Sequence, residues 1–384
     1  MLNPTSVIEL DKTALKNNIL FLKELFGNET RFSSVVKGNA YGHGIEQFVP
    51  IAEAAGVDHF SVFSVKEAAR VFEVASKSTS IMIMGWIDSE DLKWAIENKI
   101  EFWIFNEDRL DKALEISKKL NHKARIHLEI ETGLNRTGLS NKSLDCVIDK
   151  LNSNTNNFIL EGLCTHYAGA ESIANYVRIQ KQIKKFNKAY QKCLKMGLKP
   201  RYRHTACSAA ALNYPQTRMD LVRVGIAQYG YWPSSETYIQ YIHNKEKKID
   251  PLSRVISWKT KVMAIKNVKQ GEFVSYGTSY LAQEERTIAI IPVGYSTGFA
   301  RSLSNSGRVL IHGQRVGVIG MVNMNMMIAD ITPVDNVKIG DEVVLIGKQG
   351  DLNISVSSFS EISEQVNYEL LVRLPGRTVR KVVN

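Results

Sequence analysis

Four cysteines in 384 residues, Cys146, Cys164, Cys193 and Cys207, with no CxxC spacing, leave no disulfide framework to expect. The chain has no run of about 18 apolar residues, so no transmembrane helix is expected. Residues 1–11 have neither a basic stretch nor an apolar core of signal-peptide type, so a cytoplasmic protein is the expectation. There are no internal repeats and no low-complexity tracts. No G-x-G-x-x-G opens a helix after the first barrel-type strand, which weighs against a dinucleotide-binding sheet.

What is present is ordinary in bulk: 44% apolar and 23% charged residues, as in a globular protein. The length suits about two or three domains. A net charge of +10 invites a nucleic-acid reading. The positive residues, however, scatter over polar stretches such as Lys181–Lys188 and Lys245–Lys248, without aromatic interleaving, zinc spacing or a recognition-helix pattern. A solvated basic surface is expected, with neither a nucleic-acid nor a membrane partner.

Short β-rich runs alternate with helical patterns over the first 230 residues. The expected strands are 33–37, 59–64, 80–85, 101–105, 125–131, 160–166, 202–206 and 221–226. Helix-period stretches lie between them, among them 65–75, 88–97 (opened by an Asp/Ser cap and an acidic first turn) and a long one from Glu171 to about Met196. Eight such alternations predict a (β/α)8 TIM barrel over residues 11–240, with a doubly wound open sheet as the alternative. From about Pro251 the segments are short, β-branched and separated by Gly or Asn turns. Residues 241–384, joined by 1–10, therefore read as a mostly β domain, and the polar stretch 237–248 as a linker.

In such a barrel the working face is the C-terminal end of the strands. The unusual polar residues fall there: Lys37 at the end of strand one, Arg136 after strand five, His166 closing strand six, Ser208 after strand seven, and Arg223 with Gly225 in strand eight. A lysine where an apolar strand opens into a Gly-rich loop can be desolvated, which lowers its pKa and makes the amine nucleophilic. A snorkelling lysine fits the same pattern. His127, Glu129 and Glu131 alternate with Leu128 and Ile130 and so share a face. If that face is buried the carboxylates need a partner, and Arg136 is the natural one; a purely structural ion pair is the other reading.

The segment Lys37-Gly-Asn-Ala-Tyr-Gly-His-Gly44 resembles the cofactor-lysine segment of the alanine racemases, the barrel-type racemases that use pyridoxal phosphate. The resemblance extends from Val7 to about Arg380. It implies that Lys37 bonds the cofactor aldehyde. Tyr41, Ser208, the backbone N–H groups of Gly225 and Ile226, and Tyr368 would hold the phosphate. Arg223 would face the pyridine nitrogen and Arg136 the phenolic oxygen. Tyr276, in Ser275-Tyr276-Gly277, is the implied second acid/base group beside Lys37, with His166 paired to Arg223 as the group tuning it. In that family this tyrosine reaches the partner subunit's site, so a head-to-tail homodimer is implied. Tyr295 matches an entrance residue, and Met324 and Arg136 match residues near the substrate carboxylate.

Four departures stand out. Glu129 occupies a position where many members carry a carbamylated lysine. Asn325 and Thr297 stand where acidic residues are usual, and Cys207 where asparagine is. The implied activity is racemisation of alanine, with a broader amino-acid racemase as the alternative. A non-catalytic pyridoxal-phosphate carrier would lack residues 251–384. A decarboxylase of the same cofactor class would need a cysteine after Cys207. A scaffold without cofactor completes the set.

Overall fold

The structure is a computed structural model and describes residues 4–243, 245–356 and 367–384. Two compact units divide the chain: Ala14–Lys37 with Phe48–Ser253, and Met1–Thr13 with Gly38–Gln47 and Arg254–Asn384.

Strand β1 (Ser6–Asp11) belongs to the second unit. The first is built on β2 (Arg31–Val35), β3 (His59–Val62), β4 (Ser80–Ile83), β5 (Glu101–Ile104), β6 (Ala124–Glu129), β7 (Phe158–Cys164), β8 (Tyr202–His204) and β9 (Leu221–Val224). All pair in parallel, in the order β8-β7-β6-β5-β4-β3-β2-β9. The remaining gap between β8 and β9 is bridged by backbone bonds from Arg223 N to Ala206 O (3.0 Å) and Asp220 N to Arg203 O (3.2 Å). The result is the expected eight-stranded barrel, its strands ending a few residues sooner than the sequence pattern suggests. Residues such as Val62, Ile83, Ile104 and Leu128 are fully buried because both faces of a parallel sheet are covered.

The surrounding helices start where short polar side chains can accept the free amides of the first turn. Ser64 and Glu67 form a reciprocal capping box on the helix Val65–Val74. Asp88, Asn106 and Ser140 cap Ser89–Glu97, Glu107–Leu120 and Asn141–Asn152. No helix among the described residues is long and apolar enough to cross a membrane.

Within the stretch expected as a linker, residues 237–243 belong to a helix, Ser235–His243, which groups with the barrel, while 245–248 are irregular. Glu236 accepts from Ser172 Oγ (3.1 Å) and Ile173 N (2.8 Å), and Asn213 Nδ2 donates to Thr237 Oγ1 (3.2 Å). Asn18 exchanges two bonds with Ser253, at 2.7 and 2.9 Å. The boundary consequently falls after Ser253 and not near residue 240.

The second unit carries β10 (Ile256–Lys261), β11 (Ala264–Val268), β12 (Arg286–Ile291), β13 (Arg308–Ile311), β14 (Gln314–Gly317), β15 (Met327–Asp330), β16 (Glu342–Gln349), β17 (Leu352–Ile354) and β18 (Val379–Val383). One sheet runs β14-β13-β16-β10-β1-β18 with β17 on β16, and a smaller one runs β11-β12-β15. Ile8 and Leu10 of β1 point into a core with Trp258 and Phe299 while their neighbours face outward, the period-two pattern of a one-sided strand.

Candidate active site

The end of β2 is clamped before Lys37 begins. Val35 O accepts from Tyr229 Oη (2.8 Å) and Gln228 Nε2 (3.1 Å), and Val36 N donates to Ser61 O (2.9 Å). Lys37 follows two residues beyond the strand and reaches solvent at the mouth of the barrel. Partial desolvation there lowers its pKa, and the positive charge of Arg136 adds to the effect, with Arg223 contributing less. Glu67 works in the opposite sense.

Arg223 is buried on β9 with its guanidinium over the ring of Trp103 (5.3 Å). Nη1 donates to His204 Nδ1 (2.6 Å) and His204 O (2.6 Å); Nη2 donates to Thr165 O (2.7 Å) and Thr205 O (3.3 Å). Four acceptors thus engage the four Nη hydrogens, leaving Nε–H as the donor for a ligand. The imidazole paired with Arg223 is therefore His204, and not His166 as the sequence suggested. His166 stands among Arg223, Arg136 and Lys37. Desolvation first, and these cations second, bring its pKa down to about 3, so it is neutral in the physiological range.

The carboxylates of the β6 segment also depart from expectation. Glu131 caps its own loop, accepting from Gly133 N and from Asn135 N (3.0 Å), instead of pairing with Arg136. A carboxylate close in sequence to a turn meets those amides before it can reach a distant guanidinium. Glu129 is buried, and burial raises its pKa against the opposing pull of Thr137, Arg136 and Arg223. Arg136 itself is exposed. Ser208 Oγ accepts from Gly225 N (3.0 Å), which leaves its own O–H to donate. Ile226 opens the short turn that follows, Ile226–Tyr229.

The residues after Lys37 form a single left-handed helical turn, with φ of 63° at Gly38, 56° at Asn39, 53° at Ala40 and 50° at Tyr41. Gly42 N closes it onto Gly38 O (2.9 Å). Each non-glycine residue so held costs on the order of 1–2 kcal/mol, a strain that persists only where the surroundings enforce it. Here Arg380 grips Gly42 O through Nε (2.9 Å) and Nη2 (2.8 Å). A side chain at Gly42 would lie 1.9 Å from Leu371 O.

In the same unit Tyr276 is 74% exposed, beside Tyr295 and Met324, which are also exposed. Their segments are tied by Asn323: Ser275 Oγ donates to Asn323 Oδ1 (3.2 Å) and Tyr295 N to Asn323 O (3.0 Å). Ser296 Oγ donates to Asn325 Oδ1 (2.8 Å), so the asparagine takes up a loop contact at this exposed edge. Tyr368 is in the helix Asn367–Arg373, and its side chain lies outside the described residues.

The family model for "Alanine racemase, N-terminal domain" matches residues 10–233, and that for "Alanine racemase, C-terminal domain" matches 255–382. The chain belongs to the alanine racemase family, and with it to the amino-acid racemases. It is 30% identical to the alanine racemase of Leptospira interrogans over 99% of this chain and 96% of the relative. The racemase fold is shared with the Bacillus anthracis alanine racemase solved with bound L-Ala-P, at a TM-score of 0.91, 30% identity and coverage of 100% and 96%. An alanine racemase from Bartonella henselae, solved with covalently bound pyridoxal phosphate, aligns at a TM-score of 0.84 and 25% identity, covering 99% of this chain and 100% of that one.

The donors of this racemase barrel fit pyridoxal phosphate. An amine of lowered pKa suits an aldehyde, a hydroxyl with its O–H left to donate suits a phosphate, and a fixed guanidinium with Nε–H to spare suits a ring nitrogen. Sequence reasoning missed His204 as the partner of Arg223. Its signal was a histidine at the end of a short strand, just before Ser208.

Proposed function

We propose that this racemase interconverts L- and D-alanine with pyridoxal phosphate as cofactor, using Lys37 and the partner subunit's Tyr276 as its two acid/base groups. When bound, pyridoxal phosphate supplies an electron sink that weakens the substrate Cα–H bond. Lys37 Nζ holds the proton on one face of Cα. The phenol oxygen of Tyr276 serves the other, which inversion requires. Arg223 presents Nε–H as a donor that carries permanent charge and takes up no proton, so it keeps a ring nitrogen unprotonated. Arg136 and Lys37 make the mouth cationic, attracting the phosphate and then the substrate carboxylate. The exposure of Tyr276, Tyr295 and Met324 on one unit supports a site completed by a second copy of the chain, since clustered apolar residues left in water mark a contact surface.

The observation that carries this reading is Lys37, an amine of lowered pKa at the strand end nearest Arg223 in a barrel of this family. Purified protein given pyridoxal phosphate and L-alanine should lose optical rotation and yield D-alanine. A panel of L-amino acids then reads specificity. D-product confined to alanine supports the narrow form, and comparable turnover of serine and larger side chains supports a broad racemase. No D-product from any of them overturns the proposal.

A further inference from the structure

The barrel interior contains a string of polar side chains that the proposed reaction does not use. Glu101 opens β5, His59 opens β3, His127 is on β6 and His204 ends β8, and all four are fully buried. Glu101 Oε2 lies 2.8 Å from His127 Nε2 and 3.2 Å from His59 Nε2. His127 Nδ1 is 2.8 Å from His204 Nε2, and His204 Nδ1 is 2.6 Å from Arg223 Nη1. A side branch runs from His59 Nδ1 to Ser33 Oγ (2.7 Å) and on to Ser61 Oγ (2.5 Å). The far oxygen of Glu101 pairs with Arg125 Nη2 at 2.8 Å, and Arg125 Nε with Glu161 at 2.7 Å.

One distribution of protons satisfies every link. A carboxylate only accepts, so Nε2 of both His127 and His59 carries hydrogen. Burial lowers the pKa of His59 and His204, which favours neutral rings. A guanidinium only donates, so a neutral His204 carries its hydrogen on Nε2 and gives it to His127 Nδ1. His204 Nδ1 is bare in turn and accepts from Arg223. Were His127 to donate through Nδ1, His204 would have to turn an N–H toward the guanidinium, setting donor against donor. Every hydrogen from Arg223 inward therefore points toward Glu101, and the charge of Arg223 is answered by a carboxylate two imidazoles away.

The fold makes room for this chain. The pairing of β6 with β7 shifts register between Ile126 and His127, which places Gly162 opposite His127. A Cβ at Gly162 would lie 2.2 Å from His127 Nδ1 and 2.7 Å from His204 Nε2, in the space of the link itself.

We infer that Glu101, remote from the barrel mouth, is a positioning residue for the reaction: by fixing the His127 and His204 tautomers it orients Arg223 with Nε–H toward the ligand. This rests on the cofactor reading above. Replacing the carboxylate by an amide removes the constraint, because an amide also donates; the chain can then reverse and drive His204 Nδ1–H against Arg223.

The unloaded protein tests the wiring by 15N NMR of its histidine rings, where bare and protonated nitrogens are well separated. Wild type should show His204 with Nδ1 bare, and Glu101→Gln should lose that single pattern. Loaded with pyridoxal phosphate, Glu101→Gln should bind cofactor normally and keep KM within about twofold. Its kcat should drop by about 10–100-fold, the range for a residue acting through a second one. Gly162→Ala, which wedges the two rings apart, should give the same kcat-specific loss. A wild-type His204 protonated at Nδ1 overturns the inference without any variant. So does a Glu101→Gln enzyme with unchanged kcat, or one that loses cofactor and KM together, as a merely structural residue would. A wild type that never binds pyridoxal phosphate would sink the proposed function, while the histidine pattern of the unloaded protein would still report on the relay.

Discussion

Lys37 and His166 face the same cluster of charge and respond through the same physics: burial and neighbouring cations penalise the protonated form of each. For Lys37 the consequence is reactivity. In unloaded protein, an added aldehyde followed by borohydride should mark Lys37 ahead of the surface lysines at neutral pH, read by peptide mass mapping. Lys37→Ala should lose that mark and at least about 10³-fold in racemisation, the scale for removing an acid/base group that also anchors the cofactor. For His166 the consequence is acid sensitivity. Its folded pKa of about 3 is below the unfolded value, so the unfolded chain binds the extra proton between about pH 3 and 6.5. Stability is lost as pH falls through that window, by up to about 1.4 kcal/mol per unit. Denaturant unfolding of unloaded His166→Asn should show a pH slope shallower than wild type by about that amount. Glu129, with its raised pKa, acts oppositely in both proteins and cancels in the comparison.

At the scale of elements, the turn at residues 38–41 holds four successive residues at positive φ and depends on the missing side chain of Gly42. Gly42→Ala adds a Cβ against backbone, which cannot yield as a side-chain tip can. It should cost about 3 kcal/mol or more, or prevent the β-rich unit from folding, as seen in a lowered melting transition. That turn was invisible in the sequence. The glycines of 38–44 advertised a loop, but nothing in them requires Asn39, Ala40 and Tyr41 to be left-handed; Arg380, more than 300 residues away, does. The eight barrel strands were legible because alternation of short apolar runs with capped helices is a local signal. The helix 235–243 was not, since its polar face gave no periodicity and its stability comes from Glu236 and Thr237 bonding to distant loops. In the site, Lys37 and Arg223 could be picked out by strand position. The choice of His204 over His166 as the partner of Arg223 depends on ring orientation inside the barrel, which spacing does not encode.

At the scale of the whole molecule, a reaction that draws Lys37 from one chain and Tyr276 from another has a direct signature. Lys37→Ala and Tyr276→Phe should each be nearly inactive alone. Mixed and reassociated, they should recover about a quarter of wild-type activity, because half of the random dimers contain one intact site of two. Recovery of nothing would place both groups in one chain. Sedimentation should give twice the 43.2 kDa chain mass.

Strand β1 is hydrogen-bonded between β10, with Ile8 opposite Trp258, and β18, with Ile8 opposite Arg380. During synthesis it emerges before the barrel strands and must wait for partners made after them. At about 5–20 residues per second, roughly 10–50 s pass before Ile256 appears, and β18 emerges later still. The barrel residues can collapse during that interval while an amphipathic strand trails unpaired. Slow codons or a chaperone acting late in translation would therefore govern the yield of the β-rich unit far more than that of the barrel.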